Sequence, residues 1–299
     1  MKPHFELRRV RDFGENISDT FTFIKENFKP LMKPLLVICG FFILLNTVAY
    51  ANMQADAIEN AVDSMNNNVP NNVFGYQNRG INQMVGVGLF YLCFFFFIMS
   101  IFIVTYSYIA IYKDKTDDEK PTLLEVWGYF KYYFFRSLGS YFVVTLLTIA
   151  GCFLCLLPGI YLGVVFSLLL PIIIMENGSF GHAFNKCFQL IKGNWWITFG
   201  IVVVVSIIIS IAGAIISMPV TILMVTKMFL KWDFVMFPLL LIFGLLINVF
   251  YLSYSVMAVS TALCYFSYEE QKEGTGILNR INTLGEKGPD TSHLPTEEY

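Results

Sequence analysis

Six long apolar stretches dominate the chain: Leu31 to Ala51, Met84 to Tyr112, Leu138 to Leu157, Ile160 to Met175, Trp196 to Thr226 and Phe234 to Phe266. A helix needs about 20 mostly apolar residues to cross the hydrocarbon core of a bilayer. Each stretch reaches or approaches that length with no Asp, Glu, Lys, Arg or His at its centre. They predict six transmembrane helices. The step between the third and fourth is Leu157-Pro158-Gly159, which reads either as a tight hairpin turn or as a kink inside one helix. A single helix from Tyr141 to Met175 would run about 50 Å at 1.5 Å per residue, against a core of about 30 Å. A hairpin fits better.

Before the first, third and fifth spans the apolar positions change period. Phe13, Ile17, Phe21, Ile24 and Phe28 recur at helical steps, as do Val126, Phe130, Phe134 and Leu138, and then Phe180, Phe184, Phe188 and Ile191. This is the pattern of amphipathic helices lying in the membrane interface. Thr122 stands three residues before Glu125, a capping-box spacing, and Ser179 is placed to cap the third segment. The expected fold class is an all-α membrane protein, with six transmembrane helices and three cytoplasmic interfacial amphipathic helices. Its parts are an interfacial helix within 1-30, a transmembrane domain over 31-266 and a cytoplasmic tail over 267-299. Within the domain lie an outer loop, 52-83, and inner amphipathic segments, 121-137 and 179-194. Ile24-Lys25-Glu26-Asn27-Phe28 lines up with Ile191-Lys192-Gly193-Asn194-Trp195, and more loosely with Phe130 to Phe134. A threefold repeat of helix plus hairpin would explain the likeness. So would the shared look of any basic-aromatic helix meeting a bilayer.

Charge sets the orientation, because cytoplasmic flanks are enriched in Lys and Arg. Six spans with the N-terminus inside put 17 basic residues on the inner side against three outside, Arg79, Lys227 and Lys231. Without the turn at Pro158 the ratio falls to 14 against six. Both termini are therefore expected in the cytoplasm, in a multi-pass protein of the bacterial inner (plasma) membrane. Trp127, Trp195, Trp196 and Trp232 all fall at span ends or in interfacial segments, where an amphipathic ring is best solvated. The polar residues ahead of the first span do not read as a cleaved signal, so that span is expected to stay.

Composition agrees. The chain is 56% apolar and 14% charged, with a mean hydropathy of +0.61, outside the range of soluble globular proteins. A formal charge of −2 gives no case for nucleic acid. The expected partners are the lipid bilayer and a protein at the cytoplasmic face. The six cysteines sit in or beside apolar runs, where Cys behaves as a small hydrophobe. The three histidines lack metal-ligand spacing, so neither a metal nor a cofactor is expected.

Ion-coupled transporters and pumps carry ionisable groups inside the bilayer, and this chain has none in the span cores. The candidate intramembrane polar residues are Asn46, Asn248, Thr105 and Thr145, with Thr148 and scattered serines. They supply interhelical hydrogen bonds worth about 1 kcal/mol each, or a weakly polar path for a neutral or lipid-like solute. The candidate interfacial residues are Phe21, Phe28, Trp127, Phe130, Trp195 and Trp196. Cys152 and Cys155 form a Cys-x-x-Cys, but the quinone site and second Cys pair of a membrane thiol oxidoreductase are not evident, so packing is the expected role. Gly159 and Gly163, and Ser206, Ser210 and Ala214, have the small-residue spacing of close helix faces. Ile277, Ile281 and Leu284 in the tail repeat at helical spacing.

From Leu157 to Gly200 the chain reads Leu-Pro-Gly-Ile-Tyr-Leu, a span ending Met175-Glu176, then Ser179-Phe180-Gly181-His182-Ala183-Phe184 and Leu190-Ile191-Lys192-Gly193-Asn194-Trp195-Trp196. This resembles the bacterial glycerophosphoryl diester phosphodiesterase membrane-domain-like superfamily of six-helix proteins. The exit from the last span, with Glu269, Glu270 and Lys272-Glu273-Gly274, is similar to that family's, except that Tyr268-Glu269-Glu270-Gln271 stands where an Arg-rich stretch is usual. The resemblance covers the C-terminal half and reaches the N-terminal half only through topology. It implies fold and location but no catalytic residues, since the family's phosphodiesterase activity belongs to a separate soluble barrel. Glu176 has a reading of its own: with Gly178 and Ser179 it ends one helix and starts the next. The expected function is a non-enzymatic scaffold or accessory subunit of a membrane complex. The alternative is a transporter or lipid-handling protein for a neutral or lipid-like solute.

Overall fold

A computed structural model describes residues 5–65, 73–115, 119–154, 156–230 and 236–274. Outside them lie the Asn-rich centre of the 52-83 segment, Cys155, Trp232 and the tail residues Ile277, Ile281 and Leu284. Among the described residues there is no strand. The helices are α1 (Phe13–Met65), α2 (Val73–Asp114), α3 (Leu123–Leu154), α4 (Leu156–Phe166), α5 (Leu169–Met175), α6 (Phe180–Ile191), α7 (Trp195–Leu230), α8 (Met236–Phe250) and α9 (Tyr254–Glu273). Among the described residues six stretches are long and apolar enough to cross a membrane: Phe13–Asp63, Gln83–Asp114, Leu123–Leu154, Leu156–Met175, Trp195–Ile222 and Phe237–Glu273.

Two of these are built from pieces. The fourth joins α4 and α5 across a turn at Ser167 and Leu168. Pro171 follows in the first turn of α5, where its missing N–H costs least, and the Ser167 hydroxyl donates to the carbonyl of Val164 at 2.7 Å. The sixth joins α8 and α9 through a 3-10 turn, Tyr251–Ser253. The sequence places the hairpin turn at Pro158. In the structure Pro158 lies in the first turn of α4, which begins at Leu156, where a missing N–H is tolerated. The hairpin closes through Gly151 and Gly159, where a Cβ on Gly151 would sit 3.1 Å from the Cα of Gly159.

The amphipathic segments before the first and third spans are not separate helices. α1 runs through Pro30 and Pro34 for 53 residues, about 80 Å at 1.5 Å per residue, and passes beyond a bilayer core of about 30 Å. α3 likewise starts at Leu123 and continues into its span, opened by the expected capping box. The Thr122 N–H donates to Glu125 at 2.7 Å and the Glu125 N–H to Thr122 Oγ1 at 3.4 Å. That backbone bond from Thr122, helped by Lys115, holds the Glu125 carboxyl down at about 2. The third segment alone is a discrete helix, α6, capped by Ser179. Residues 52–65 and 73–83, expected as an outer loop, extend α1 and α2.

The bundle centre is α2 from Phe97 to Tyr112 and α9 from Met257 to Glu270, both buried almost all round. α3 and α7 are peripheral, with most of their apolar surface outward. The N-terminal segment, the connection before α3, the α5–α6 connection and the end of α9 meet at one end, the charged end: the Arg11 N–H reaches Ser267 Oγ at 3.0 Å, and Arg136 reaches the carbonyl of Gly178 at 2.8 Å.

Candidate functional site

Three polar features lie along the bundle. The first joins the two asparagines singled out in the spans. Asn46 on α1 and Asn248 on α8 are fully buried, and the Asn46 amide donates to Asn248 Oδ1 at 2.6 Å. The Asn248 amide donates to Thr47 Oγ1 at 3.2 Å and to the Gly244 carbonyl at 2.8 Å. The pair is a cross-bundle clamp. Thr105 takes no part: it is buried and donates to the Ile101 carbonyl in its own helix.

The second feature is a cavity of about 310 Å³ between α2, α3, α4, α5, α7 and α9, lined by Tyr106, Tyr141, Thr145, Thr148, Ser167 and Thr261 among apolar residues. Beside it, on the outward side of α3, runs a groove of about 770 Å³ walled by α2 and α3, including Tyr91, Phe96, Phe135 and Phe142. Thr145 and Ile149 line both, so the two adjoin along α3. No charged residue lines either one. Across the cavity the Tyr106 and Thr261 hydroxyls meet at 2.8 Å. Of the polar residues singled out in the sequence, Thr145 and Thr148 reach this cavity. Tyr106, Tyr141 and Thr261 were missed, because a Tyr or Thr inside an apolar run looks like any packing residue until its partner is known.

The third feature is an ionic hub at the charged end. Glu176, at the C-cap of α5, receives Lys186 at 2.6 Å, His182 at 2.7 Å and the Tyr265 hydroxyl at 2.8 Å. The Tyr265 hydroxyl also lies 2.7 Å from Glu269, which faces Arg8 at 3.7 Å. Burial alone would raise the Glu176 carboxyl; the hydrogen bonds from Lys186, His182 and Tyr265 outweigh it and hold the carboxyl below its ordinary range. Desolvation likewise opposes the charge on Lys186, but Glu176, Glu269 and Glu273 more than restore it and raise its pKa. The expected helix-terminating role of Glu176 is therefore one part of a larger one. It ties α5, α6 and α9 together.

The interfacial candidates divide. Phe21, Phe28, Trp127 and Trp196 are exposed and Trp195 is half-buried, stacked on Phe199. Phe130 points into the protein instead, beside Val126 and Tyr133, because the buried face of α3 is offset from the most apolar one. On α7, Ser210 and Ala214 face outward, and close packing falls on Gly213 against Phe250. Cys39, Cys93, Cys152, Cys187 and Cys264 are free thiols, and of these only Cys152 is exposed.

Residues 138–286 match the family model described as the membrane domain of glycerophosphoryl diester phosphodiesterase. The match covers about half of the chain. The membrane domain so defined begins at Leu138, within α3, and includes α4 to α9. Most of the cavity lining and all of the hub except Arg8 therefore lie within it, whereas Asn46, Tyr106 and the α2 wall of the groove precede it. Neither the curated proteins nor the solved structures gave a match.

Proposed function

We propose that this protein is a non-enzymatic, lipid-handling protein of the inner membrane that holds a neutral or lipid-like solute between α3, α4 and α9. The observation that carries the reading is the cavity of about 310 Å³ adjoining, along α3, a groove of about 770 Å³, with hydroxyls but no charge on either lining. Ligand sites are concave, mostly apolar and furnished with a few polar groups, at volumes from about 300 Å³ upward. A charged ligand would have no counter-ion there, and the lining holds hydroxyls without a base to activate one. The excess of Lys and Arg on one side of the six spans supports a cytoplasmic position for both termini.

The test is the lipid content of tagged protein drawn from native membranes in mild detergent or nanodiscs, read by mass spectrometry. A Gly163→Leu variant fills the cavity, since a Cβ there meets only Thr148 Cγ2 at 3.7 Å. One enriched lipid or small molecule, lost in Gly163→Leu, supports the reading. No enrichment, or enrichment unchanged in the variant, overturns it.

A second reading, a scaffold docking a protein at the cytoplasmic face, has its own support in the hub. That network joins the N-terminal segment, α6 and α9 into one face. A stoichiometric protein partner lost on charging that face would favour it.

A further inference from the structure

The hydrogen bonds of the cavity lining narrow the class of molecule it takes. A hydroxyl has one proton and two lone pairs. Thr145 donates its proton to the Tyr141 carbonyl at 2.7 Å, Thr148 to Val144 at 2.9 Å, Ser167 to Val164 at 2.7 Å and Thr261 to Met257 at 2.9 Å. Each therefore presents only lone pairs to the cavity. Because the Thr261 proton is engaged, the 2.8 Å contact assigns Tyr106 as its donor, which leaves the Tyr106 oxygen as an acceptor. Tyr141 differs. Its hydroxyl donates to no group among the described residues, and it lies within electrostatic reach of the Tyr106 hydroxyl. One unused donor, Tyr141, thus faces a lining that otherwise offers only acceptors, Tyr106 among them, in an uncharged and mostly apolar chamber.

We infer that the cavity, read as a lipid-handling site, takes an uncharged single-chain lipid ending in a hydroxyl group, which accepts from Tyr141 and donates to Tyr106. A hydroxyl is the simplest group that satisfies both tyrosines. An ether or carbonyl oxygen answers Tyr141 alone, and a hydrocarbon answers neither. A carboxylate would bring a charge into a chamber without a cation to pair it, a far larger cost than a neutral polar group incurs. The volume of about 310 Å³ stands at the small end of ligand sites, which favours one chain over two.

The experiment is photolabelling of the full chain in phosphatidylcholine nanodiscs with three chain-matched diazirine probes: a medium-chain alcohol, its methyl ether and the corresponding carboxylate. Adducts are quantified on the peptides carrying Tyr141 and Ser167. The alcohol is expected to label about fivefold more than the ether, the size of one neutral hydrogen bond, and to exceed the carboxylate by more. Tyr106→Phe and Tyr141→Phe are each expected to abolish the preference for the alcohol over the ether while retaining labelling by the alcohol. The unmodified chain suffices for the main comparison, so a variant that fails to fold does not remove the test. Equal labelling by alcohol and ether, or a preference for the carboxylate, overturns this inference and leaves the lipid-handling reading standing. Labelling of neither peptide by any probe overturns both.

Discussion

Asn46 donates to Asn248 across 2.6 Å although 202 positions separate them in the chain. Both side chains are buried, and the bond pins the first span to the last. Around it the Asn248 amide is doubly used, on Thr47 and Gly244, which fixes which way each amide faces.

The pair yields a double-mutant prediction. Asn46→Leu and Asn248→Leu should each destabilise the bundle, and the double variant should lose less than the sum. The coupling should be about 1 kcal/mol, in the range found for hydrogen bonds between membrane helices. Unfolding of the four proteins in matched detergent measures it, and an additive result would show that the bond contributes nothing.

Acidification should release the hub. Glu176 titrates lower in the folded chain than in the unfolded one, so its contribution is fully present above the ordinary glutamate range, about 4.3, and disappears as pH falls through the lower folded value. Glu176→Gln should cost about 1.5–3 kcal/mol at neutral pH, the worth of a hydrogen bond to a charged group. The gap between the two proteins in thermal unfolding should close on acidification. A gap of constant size down to about pH 3 would contradict this assignment.

At the turn between the third and fourth spans a methyl group has nowhere to go. A Cβ on Gly159 would lie 2.1 Å from Cys152 Sγ and 2.6 Å from the Cys152 nitrogen. Gly159→Ala should therefore force α3 and α4 apart at a cost of about 1–3 kcal/mol. Gly128→Ala meets nothing within 4 Å and should be neutral, or stabilising by up to about 1 kcal/mol. Thermal melts of the two variants against the parent decide the matter.

Gly193 breaks the chain between α6 and α7 with φ at +91°. Gly193→Ala should lower stability by about 1 kcal/mol, since an L side chain rarely adopts that conformation. Gly181→Ala inside α6, where a Cβ meets nothing within 4 Å, should not. Equal melting temperatures for the two variants would mean that the turn relaxes without strain.

Gly193 also shows how far local sequence carried. Ile24-Lys25-Glu26-Asn27-Phe28 and Ile191-Lys192-Gly193-Asn194-Trp195 look like one motif, yet Glu26 lies within an unbroken α1 while Gly193 turns the chain out of α6. The two asparagines also diverge: Asn27 is buried and accepts from Lys120 at 2.8 Å, whereas Asn194 donates to Gln271 at 3.0 Å. Glycine permitted the break, and only its observed φ revealed that the break was used.

The sequence by itself determined that this is a six-span helical protein with uncharged span cores, and it marked the Thr122–Glu125 and Ser179 caps. It could do so because span length, apolarity and cap chemistry are local properties. It also picked out Asn46, Asn248 and Thr145 without showing that the first two bond each other while the third lines a cavity. Tertiary structure alone decided which face of each helix turns inward. On α1 the aromatic stripe of Phe13, Phe21 and Phe28 stays exposed while Asn16, Thr20 and Asn27 are buried. Lipid tails are as apolar as a protein core, so hydrophobic periodicity cannot tell the two sides apart. Polar groups that need partners and glycines that admit close neighbours do tell them apart, and both depend on residues far away in the chain.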